Sequence, residues 1–455
     1  MPSAEEPDDA RPERRTHSAR RIPEEALDQD ALRVVSRLAR AGFEAYLVGG
    51  CVRDLLLGRT PKDFDVATSA HPRQVKRLFR NGRIIGRRFR LVHITYGDHV
   101  IEVSTFRREP PPRPEGEEDA DLLITEDNVF GTAEEDARRR DFTINALFLD
   151  PARRRIQDHV GGMQDLEAGV LRTIGDPVVR MAEDPVRILR AIKFATRLGF
   201  RIDDATWAAM ENSAPDLARS ARPRVMEEIL RLMRSGTSLG AFRMLRACGA
   251  LSVILPPIDD YLGRRDDPDP AAHDRADQLW RLLEALDADV HAGNVPSTPV
   301  SVAALFLRLI EREADPQTRT LPGKPKDLTG AASEVLEPFA LGARLSRRDA
   351  GRAKRIVSLQ RRFTQTGGKR FRPMQFAASE DFPEALHLFR LRSMAWGQGW
   401  DVYEAWLERR KRVLEGPATA AADGDGDGDG ADAAEGEAPK RRRRRGRRRR
   451  RSSAS

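Results

Sequence analysis

Two aspartates separated by one residue are the strongest chemical signal in the chain, in the segment Asp63-Phe64-Asp65-Val66. Residues two apart in a β-strand share a face, so Asp63 and Asp65 would point the same way while Phe64 and Val66 face the core. Paired carboxylates suit Mg²⁺, a hard cation that proteins usually hold with one or two carboxylates plus substrate phosphates. Mn²⁺ accepts the same oxygen ligands. Taken alone, such a pair is more often a solvated edge strand.

The preceding residues form elements that would place this pair beside a phosphate. The apolar run Ala45–Val48 predicts a strand, and Gly49-Gly50 predicts a tight turn with accessible backbone N–H groups. Val52–Leu57 then predicts a short amphipathic helix. Anions bind readily at a glycine-to-helix junction because the first N–H groups of a helix are unpaired. Arg53 adds a guanidinium there.

The ordered combination of strand, Gly-Gly turn, arginine-bearing helix and Asp-x-Asp is much rarer than any of its parts. It resembles the signature of the class II polymerase-beta-type nucleotidyltransferases, the family of CCA-adding enzymes and bacterial poly(A) polymerases. With three later motifs, the resemblance covers roughly residues 30–260. It implies that Asp63 and Asp65 are catalytic and hold the metal ions, while Gly49, Gly50 and Arg53 contact the triphosphate of ATP.

The second motif is Arg-Arg-Asp-Phe-Thr-Ile-Asn-Ala at 139–146. A helix end with favourably placed cations would look the same. The resemblance implies that Arg140 contacts the triphosphate, that Asp141 is a third catalytic residue, and that Asn145 holds either the loop or the sugar. Glu102, in a predicted strand, is an equally good candidate for a third metal-binding carboxylate, and the sequence leaves this choice open.

The third motif is a predicted helix over residues 183–199 in which a charged residue recurs at every third position. A surface helix with i,i+3 salt bridges would show the same pattern. The resemblance implies nucleotide selection: Asp184 and Arg187 would read the base, with Arg190 and Lys193 directed towards phosphate. The family usually has arginine where Lys193 stands, which weakens the case for a bidentate contact there.

The predicted fold class is α+β: an N-terminal nucleotidyltransferase head with a small mixed or antiparallel sheet, then all-helical neck and body domains and a disordered basic tail. The predicted boundaries are 1–25 disordered, 26–175 head, 176–260 neck, 261–415 body and 416–455 acidic linker with Arg-rich tail. RNA contacts are expected from two basic groups, Arg222 and Arg224 in the neck and Lys369, Arg370 and Arg372 in the body, although solvated surface is the ordinary explanation for both. The Pro- and acid-rich residues 107–129 predict a flexible loop.

Composition excludes several other classes of protein. The chain has 2 cysteines, too few for a disulfide framework or a Cys-based zinc module. No apolar run approaches the roughly 20 residues that span a bilayer, and Met1–Arg21 lacks the apolar core of a signal peptide. A cytoplasmic protein that does not engage membranes is therefore expected. Lys440–Arg451 holds eleven cations, without which the net charge falls from +8 to −3, so RNA binding by the folded part needs local patches.

Three functions compete. The first is a poly(A) polymerase that adds AMP from ATP to RNA 3′ ends, favoured by the Gly-Arg-Arg-Phe-Arg-Leu-Val-His segment at 86–93 and the Arg-rich tail. The second is a CCA-adding enzyme. The third, a non-enzymatic RNA-binding scaffold, predicts missing acids, yet Asp63 and Asp65 are present. Proteins of RNA decay are candidate partners, and the oligomeric state is open.

Overall fold

A computed structural model describes residues 15–86, 90–108, 129–264, 270–324, 326–364 and 371–415. Several sequence predictions fall outside these ranges. They concern the tail at 416–455, most of the 107–129 loop, residues 87–89 of the basic segment, and the pair Lys369 and Arg370.

The head is built on a mixed sheet that has eight strands in the described part of the chain, in the spatial order β1-β8-β7-β2-β3-β6-β5-β4. Its strands are β1 Arg15–Ser18, β2 Ala45–Val48, β3 Asp65–Thr68, β4 Gly82–Ile85, β5 Leu91–Tyr96, β6 His99–Thr105, β7 Leu147–Asp150 and β8 Arg155–Asp158. Strands β3 and β6 run parallel, and the other neighbours are antiparallel. A separate parallel pair joins β9 Val170–Leu171 to β10 Arg201–Ile202.

The head helices are α1 Gln29–Arg40, α2 Gly50–Leu56, α3 Pro72–Leu78, α4 Ala133–Arg138 and α5 Gly162–Ala168. Side chains alternate across the sheet, so each face has its own apolar layer. Leu47 and Val66 face the layer that contains α1, whereas Tyr46, Ala67 and Phe148 face a smaller layer closed by α4. All four residues of β2 are buried, as expected of a central strand covered on both faces.

Helices continue the chain beyond the sheet. Those of the neck are α6 Pro177–Glu183, α7 Arg187–Leu198, α8 Asp204–Ser213, α9 Arg222–Met233, α10 Ser238–Ala247, α11 Ala250–Ile254 and α12 Pro256–Leu262. Those of the body are α13 Pro270–His291, α14 Thr298–Ala314, α15 Leu328–Gly342, α16 Arg347–Ser358, α17 Gln360–Phe363, α18 Pro373–Ala377, α19 Phe382–Trp396 and α20 Trp400–Glu415. One apolar cluster runs from Ala19 to Trp406, through head, neck and body.

The α+β prediction is therefore confirmed, with a sheet in the head and helices after it. The exact domain boundaries remain predictions. Among the helices of the described ranges, none has both the length and the apolar character that crossing a bilayer would need.

The predicted disorder of residues 1–25 is wrong for the part that the structure describes. Arg15–Ser18 pairs with β8 at the sheet edge, and Ala19 and Ile22 are each only 2% exposed. An edge strand can be held by backbone pairing alone, so a polar sequence with two apolar anchors gives almost no periodic signal.

One element prediction also needs correction. The helix expected over 183–199 begins only at Arg187, because the chain leaves the helical conformation at Asp184, after the end of α6, and turns at Pro185. Strand β4 adds a third strand at the outer side of the β5-β6 hairpin. Helices α19 and α20 are separated after Trp396, where Gly397 takes a left-handed φ of 67°.

Candidate active site

Gly49 ends β2 and turns the chain into α2. Its φ of 77° and ψ of −133° suit glycine. A Cβ at this position would lie 3.2 Å from Nη1 of Arg140. The absence of a side chain therefore lets a guanidinium approach the backbone of the Gly49-Gly50 turn, where a negatively charged ligand would meet a cation directly.

Asp65 is the first residue of β3 and adjoins this turn. It lies opposite Val48 of β2 and pairs in parallel register with Glu102 of β6. Asp63 lies in the loop before β3 and is exposed, so it is not a strand residue as the alternation argument assumed. Phe64 is buried, as predicted. Among the described residues, neither the Asp63 nor the Asp65 carboxylate has a hydrogen-bonding or ion-pair partner.

The electrostatics of Asp65 differ from those of an ordinary surface acid. Burial raises the pKa of Asp65 to about 6, with further contributions from the negative charges of Glu102 and Asp63, although Arg140 opposes them. Glu102 itself is 43% exposed, with Oε2 3.2 Å from Nε2 of His93 on the neighbouring strand. Three acids with oxygen ligands and no strong internal cation are chemically suited to a divalent metal ion.

Arg140 is fixed in place by three contacts within the head. Its Nη2 donates to Oδ2 of Asp136 at 3.0 Å and its Nη1 to the carbonyl oxygen of Asn145 at 3.3 Å. Its guanidinium carbon also lies 5.2 Å from the centre of the Phe148 ring. Sequence reasoning missed Asp136, although an acid four residues before an arginine on a helix is a readable signal. The structure thus presents Arg140 to the Gly-Gly turn on a rigid support.

Arg53, which the family resemblance assigns to the triphosphate, is buried and hydrogen-bonded within the head. It is 2% exposed, and burial lowers its pKa. Its Nε and Nη2 donate to Oδ1 of Asp54 at 2.9 and 2.7 Å, and its Nη1 donates to Oδ1 of Asn145 at 2.6 Å. Both Arg53 and Asn145 therefore tie α2 to the 141–145 segment, and their contact with nucleotide stays a prediction.

Asp141 is committed to an ion pair with the neck. Its Oδ2 accepts from Nε and Nη2 of Arg190 at 2.9 and 2.5 Å, and its Oδ1 accepts from the Phe142 amide and from Nδ2 of Asn145. Burial favours a higher pKa for Asp141, but the charge and hydrogen bonds of Arg190, with the other two donors, lower it to about 2. Both oxygens are occupied, so Asp141 joins head to neck, and a catalytic role for it stays a prediction.

The remaining predicted base and phosphate contacts are also engaged within the protein. Oδ2 of Asp184 accepts from Nη2 of Arg224 at 2.8 Å. Arg187 is buried and donates back to Glu183 at 3.0 Å. Nζ of Lys193 lies 2.6 Å from Oε2 of the buried Glu228, and burial lowers the pKa of Lys193. Their long-range partners were not predicted from the sequence.

The described cations of the predicted RNA surfaces differ in their partners. Arg222, at the start of α9, is exposed and has no side-chain partner among the described residues, whereas Arg224 is bound to Asp184. Arg372 is exposed beside α18.

A different group of side chains brings its potential metal-ligating atoms close together. In the described ranges, the three His, Cys, Asp or Glu residues with ligating atoms within 4.8 Å of one another are Asp28, Asp30 and His99. Strand alternation puts His99 on the opposite sheet face from Glu102. The predicted metal ligands Asp63, Asp65 and Glu102 are not gathered to that distance.

A mixed sheet with acids beside a Gly-Gly turn, followed by helices, defines an α+β nucleotidyltransferase fold. The solved CCA-adding enzyme of Bacillus stearothermophilus in complex with CTP matches with a TM-score of 0.62 at 25% identity, covering 84% of this chain and 81% of that one. An apo tRNA-processing enzyme matches with a TM-score of 0.57 at 22% identity, covering 85% of this chain and 92% of that one, and supports the fold alone.

Family models match three parts of the chain: the Poly A polymerase head domain at residues 45–172, the probable RNA and SrmB-binding site of polymerase A at 199–262, and the polymerase A arginine-rich C-terminus at 324–451. Poly(A) polymerase I of Escherichia coli O6:H1 is 37% identical over 354 residues, 77% of this chain and 75% of that protein. The chain therefore belongs to the poly(A) polymerase family.

Other relatives align over a shorter part. Poly(A) polymerase I of Salmonella typhi is 45% identical over 250 residues, and the chain spans only 54% of its length. A CCA-adding enzyme of Streptococcus mutans is 38% identical over 266 residues, 57% of this chain and 60% of that protein.

Proposed function

We propose that the chain is a template-independent poly(A) polymerase that transfers AMP from ATP to RNA 3′ ends and releases pyrophosphate. The observation that carries this proposal is the pair of carboxylates Asp63 and Asp65, which have no partner among the described residues and lie beside the Gly49-Gly50 turn that Arg140 approaches. Membership of the poly(A) polymerase family supports ATP as the nucleotide and an RNA 3′ end as the acceptor.

Asp63 and Asp65, with Glu102 on the next strand, would hold Mg²⁺, and Mn²⁺ suits the same ligands. These side chains fit such an ion because they are hard oxygen donors, because Asp63 and Asp65 have no ion-pair partner among the described residues, and because burial and mutual repulsion raise the pKa of Asp65. When bound, a divalent ion neutralises phosphate charge and makes a coordinated hydroxyl more acidic. We assign Asp141 to positioning rather than to this metal group, because both of its oxygens are already bonded.

In the reaction, the RNA 3′-hydroxyl oxygen forms a bond to the α-phosphorus of ATP. The bond from that phosphorus to the α–β bridging oxygen breaks, pyrophosphate leaves with that oxygen, and the hydroxyl proton passes to solvent. Arg140 would neutralise charge on the triphosphate at the Gly-Gly turn, where its fixed guanidinium requires no reorganisation. Asp184 and Arg187 remain the proposed base-reading side chains, and Arg222 a proposed phosphate contact. A cytoplasmic location belongs to the same proposal.

A CCA-adding activity is the second candidate, because the solved relative with a TM-score of 0.62 is a CCA-adding enzyme. Incubating the full chain with Mg²⁺, a generic RNA and each NTP separately tests the choice. We expect long tails from ATP alone. Addition of CTP to a tRNA lacking its 3′ end, stopping after two residues and followed by one AMP, would favour the second candidate. No incorporation from any NTP would reject both.

A further inference from the structure

A row of polar side chains crosses the sheet from the proposed metal ligands to strand β4. Asp65 of β3 is aligned with Glu102 of β6. Glu102 is aligned in turn with His93 of β5, and His93 with Arg83 of β4. Side chains aligned in this way lie on the same face of a sheet, and the contact of 3.2 Å between His93 Nε2 and Glu102 Oε2 agrees with this placement. One face of the sheet therefore leads from the acids to an arginine on the last strand of the described sheet.

The side chains on this face of β4, β5 and β6 are accessible to a ligand. Strand alternation puts Thr95 and Val100 on the same face as His93, and both are exposed. The opposite face of the same strands carries Val92 and Ile94, which are buried in the layer that contains α1. Packing against the protein core therefore uses one face of these strands and leaves the face that bears the acids for a substrate.

Positive charge is concentrated at the β4 side of the head. Residues 66–97 contain eight Lys and Arg and no Asp or Glu. Arg83 is exposed, and its guanidinium has no side-chain partner in the part of the chain that the structure describes. Arg73 and Arg77 of α3 and Arg80, which precedes β4, are exposed as well. Arginines without acidic partners are suited to the phosphodiesters of a nucleic acid, which are its main contacts with proteins.

The geometry of phosphoryl transfer indicates which part of the substrate would lie on this face. The attacking and the leaving oxygens of an in-line displacement are on opposite sides of the phosphorus. The Gly49-Gly50 turn, where Arg140 would hold the triphosphate, follows β2, which is the neighbour of β3 on one side. Strands β6, β5 and β4 lie on the other side of β3. If pyrophosphate leaves towards the turn, the RNA 3′-hydroxyl approaches from the side of β6, and the strand behind it extends over β5 and β4.

We propose that the face of β4, β5 and β6 binds the acceptor RNA next to its 3′ end, with Arg83 contacting a phosphodiester. This inference rests on the proposed function, which makes RNA the acceptor and puts the metal ions at Asp65. Neighbouring strands are about 4.8 Å apart, so the three steps from β3 to β4 put the Arg83 backbone roughly 14 Å from that of Asp65. The contacted phosphate is therefore near the 3′ end, and the contact does not depend on base sequence.

Substitutions at Arg83 in the full chain test the inference, because Arg83→Gln removes the charge and Arg83→Lys keeps it. Arg155→Gln is the matched control. Arg155 is also an exposed strand arginine without a side-chain partner among the described residues, but it lies in β8, beyond β2 and β7. Thermal melts and size-exclusion chromatography verify that each variant is folded and not aggregated.

The acceptors are A₁₂ oligomers with ordinary phosphodiesters, or with one neutral methylphosphonate at each linkage near the 3′ end in turn. Steady-state incorporation gives KM for the acceptor and KM for ATP separately. Fluorescence anisotropy of the labelled oligomers in EDTA without ATP, at several salt concentrations, measures binding without catalysis.

We expect Arg83→Gln to raise KM for the acceptor about three- to ten-fold, to leave KM for ATP unchanged, and to lower the salt slope of oligomer binding by about one. Arg83→Lys should retain most of the wild-type affinity, because a lysine still neutralises phosphate as a point charge. One methylphosphonate should weaken binding by the wild type but not weaken binding by Arg83→Gln any further, which identifies the contacted phosphate.

Effects of Arg83→Gln no larger than those of Arg155→Gln overturn the inference. So does aggregation of Arg83→Gln with unchanged RNA affinity, because Arg83 would then only protect an edge strand from pairing with other chains. A raised KM for ATP alone would put the triphosphate at Arg83 and also overturn it. A protein that adds AMP equally well with either substitution rejects the RNA surface alone, whereas one that binds RNA through Arg83 but transfers no nucleotide rejects the proposed function and retains the surface.

Discussion

The charged residues at the start of strand β3 and those of the neck helices differ in what they are bonded to. At the start of β3, the Asp63 and Asp65 carboxylates have no partner among the described residues. In the neck, Arg190 and Lys193 are each paired with an acid, Asp141 and Glu228 respectively. A sequence reading treats both sets as ligand contacts. The structure separates side chains that are free to take a ligand from side chains already used to hold elements together.

This difference follows from the energetics of buried charge. A buried or half-buried charge is expensive unless it is paired. For Asp65 this cost raises the pKa to about 6. For Asp141 the ion pair with Arg190 more than offsets the cost, and the pKa is lowered to about 2. The opposite pKa shifts of Asp65 and Asp141 therefore distinguish a carboxylate available to bind a cation from one whose ion pair joins two parts of the fold.

The largest expected effect is the loss of activity in Asp65→Asn. Metal ions contribute several kcal/mol to such reactions, so removing this ligand should lower AMP incorporation at least about 1,000-fold. Without metal the variant should be as stable as wild type or up to about 2 kcal/mol more stable near pH 7. The reason is that the ionised wild-type carboxylate destabilises the folded state at pH values above its raised pKa. Incorporation assays and urea denaturation in EDTA measure both. An active variant, or one that is inactive because it unfolds, would break the comparison.

Asp141→Asn should show the reverse pattern, with stability as its main loss. A folded-state pKa of about 2, against about 3.9 in the unfolded chain, stabilises the protein by about 2–3 kcal/mol at neutral pH. This stability is complete above about pH 5 and is lost as pH falls towards about 2, so the difference between wild type and variant should shrink over that range. Urea denaturation at pH 7 and pH 3 measures it.

Asp216→Asn provides the control for that measurement, since Asp216 is a more exposed acid whose pair with Arg219 has an N–O distance of 3.5 Å. Its effect should stay below about 0.5 kcal/mol. If Asp141→Asn were equally harmless to stability yet inactive, Asp141 would be catalytic and the contrast between the two regions would be lost.

Glu102→Gln tests the effect of Glu102 on the pKa of Asp65 through the pH dependence of Mg²⁺ binding. Glu102 raises the pKa of Asp65, so its neutralisation should lower that pKa below about 6. Apparent Mg²⁺ affinity, which requires ionised Asp65, falls as pH drops through about 6 in wild type and should begin to fall at a lower pH in the variant. Calorimetric titration between pH 5 and pH 8 measures this shift. Affinity above pH 7 should fall as well, because Glu102 is also a proposed ligand of the ion. An affinity and a pH profile both equal to those of wild type would exclude Glu102 from the metal group.

The smallest effect is expected for Arg224→Ala. Its pair with Asp184 joins side chains that are 51% and 22% exposed, and exposed pairs contribute about 0–1 kcal/mol. Stability should therefore change by less than about 1 kcal/mol. Arg234→Ala, at a half-buried arginine that donates to Pro296 and Thr298, is the comparison variant and should cost more. Equal losses would show that exposure does not distinguish these neck arginines.

Local patterns predicted much of the head. Ala45–Val48 was predicted to the residue because an apolar run ended by glycine leaves little choice. The adjacency of Asp65 to the Gly-Gly turn also follows from strand pairing. Local patterns could not predict the polar strand Arg15–Ser18, because this strand is defined by its pairing with β8 rather than by its own sequence.

The partners of the charged side chains could not be predicted for the same reason. Asp141 and Arg190 are 49 residues apart in sequence, and Lys193 and Glu228 are 35 apart. Nothing in the spacing of either motif indicates that these side chains meet, so periodicity suggested one ligand-binding face. Only the packing of α7 against the head and α9 shows that those charges are already paired.

Manganese binding measured by electron paramagnetic resonance tests the central claim most directly. The full chain would be titrated with Mn²⁺ and a non-hydrolysable ATP analogue, in an Asp30→Asn background that removes the Asp28, Asp30 and His99 group. We predict analogue-dependent Mn²⁺ binding that Asp65→Asn abolishes and Asp141→Asn retains. Unchanged Mn²⁺ binding in a folded Asp65→Asn protein would contradict the assignment of the metal site to the start of β3.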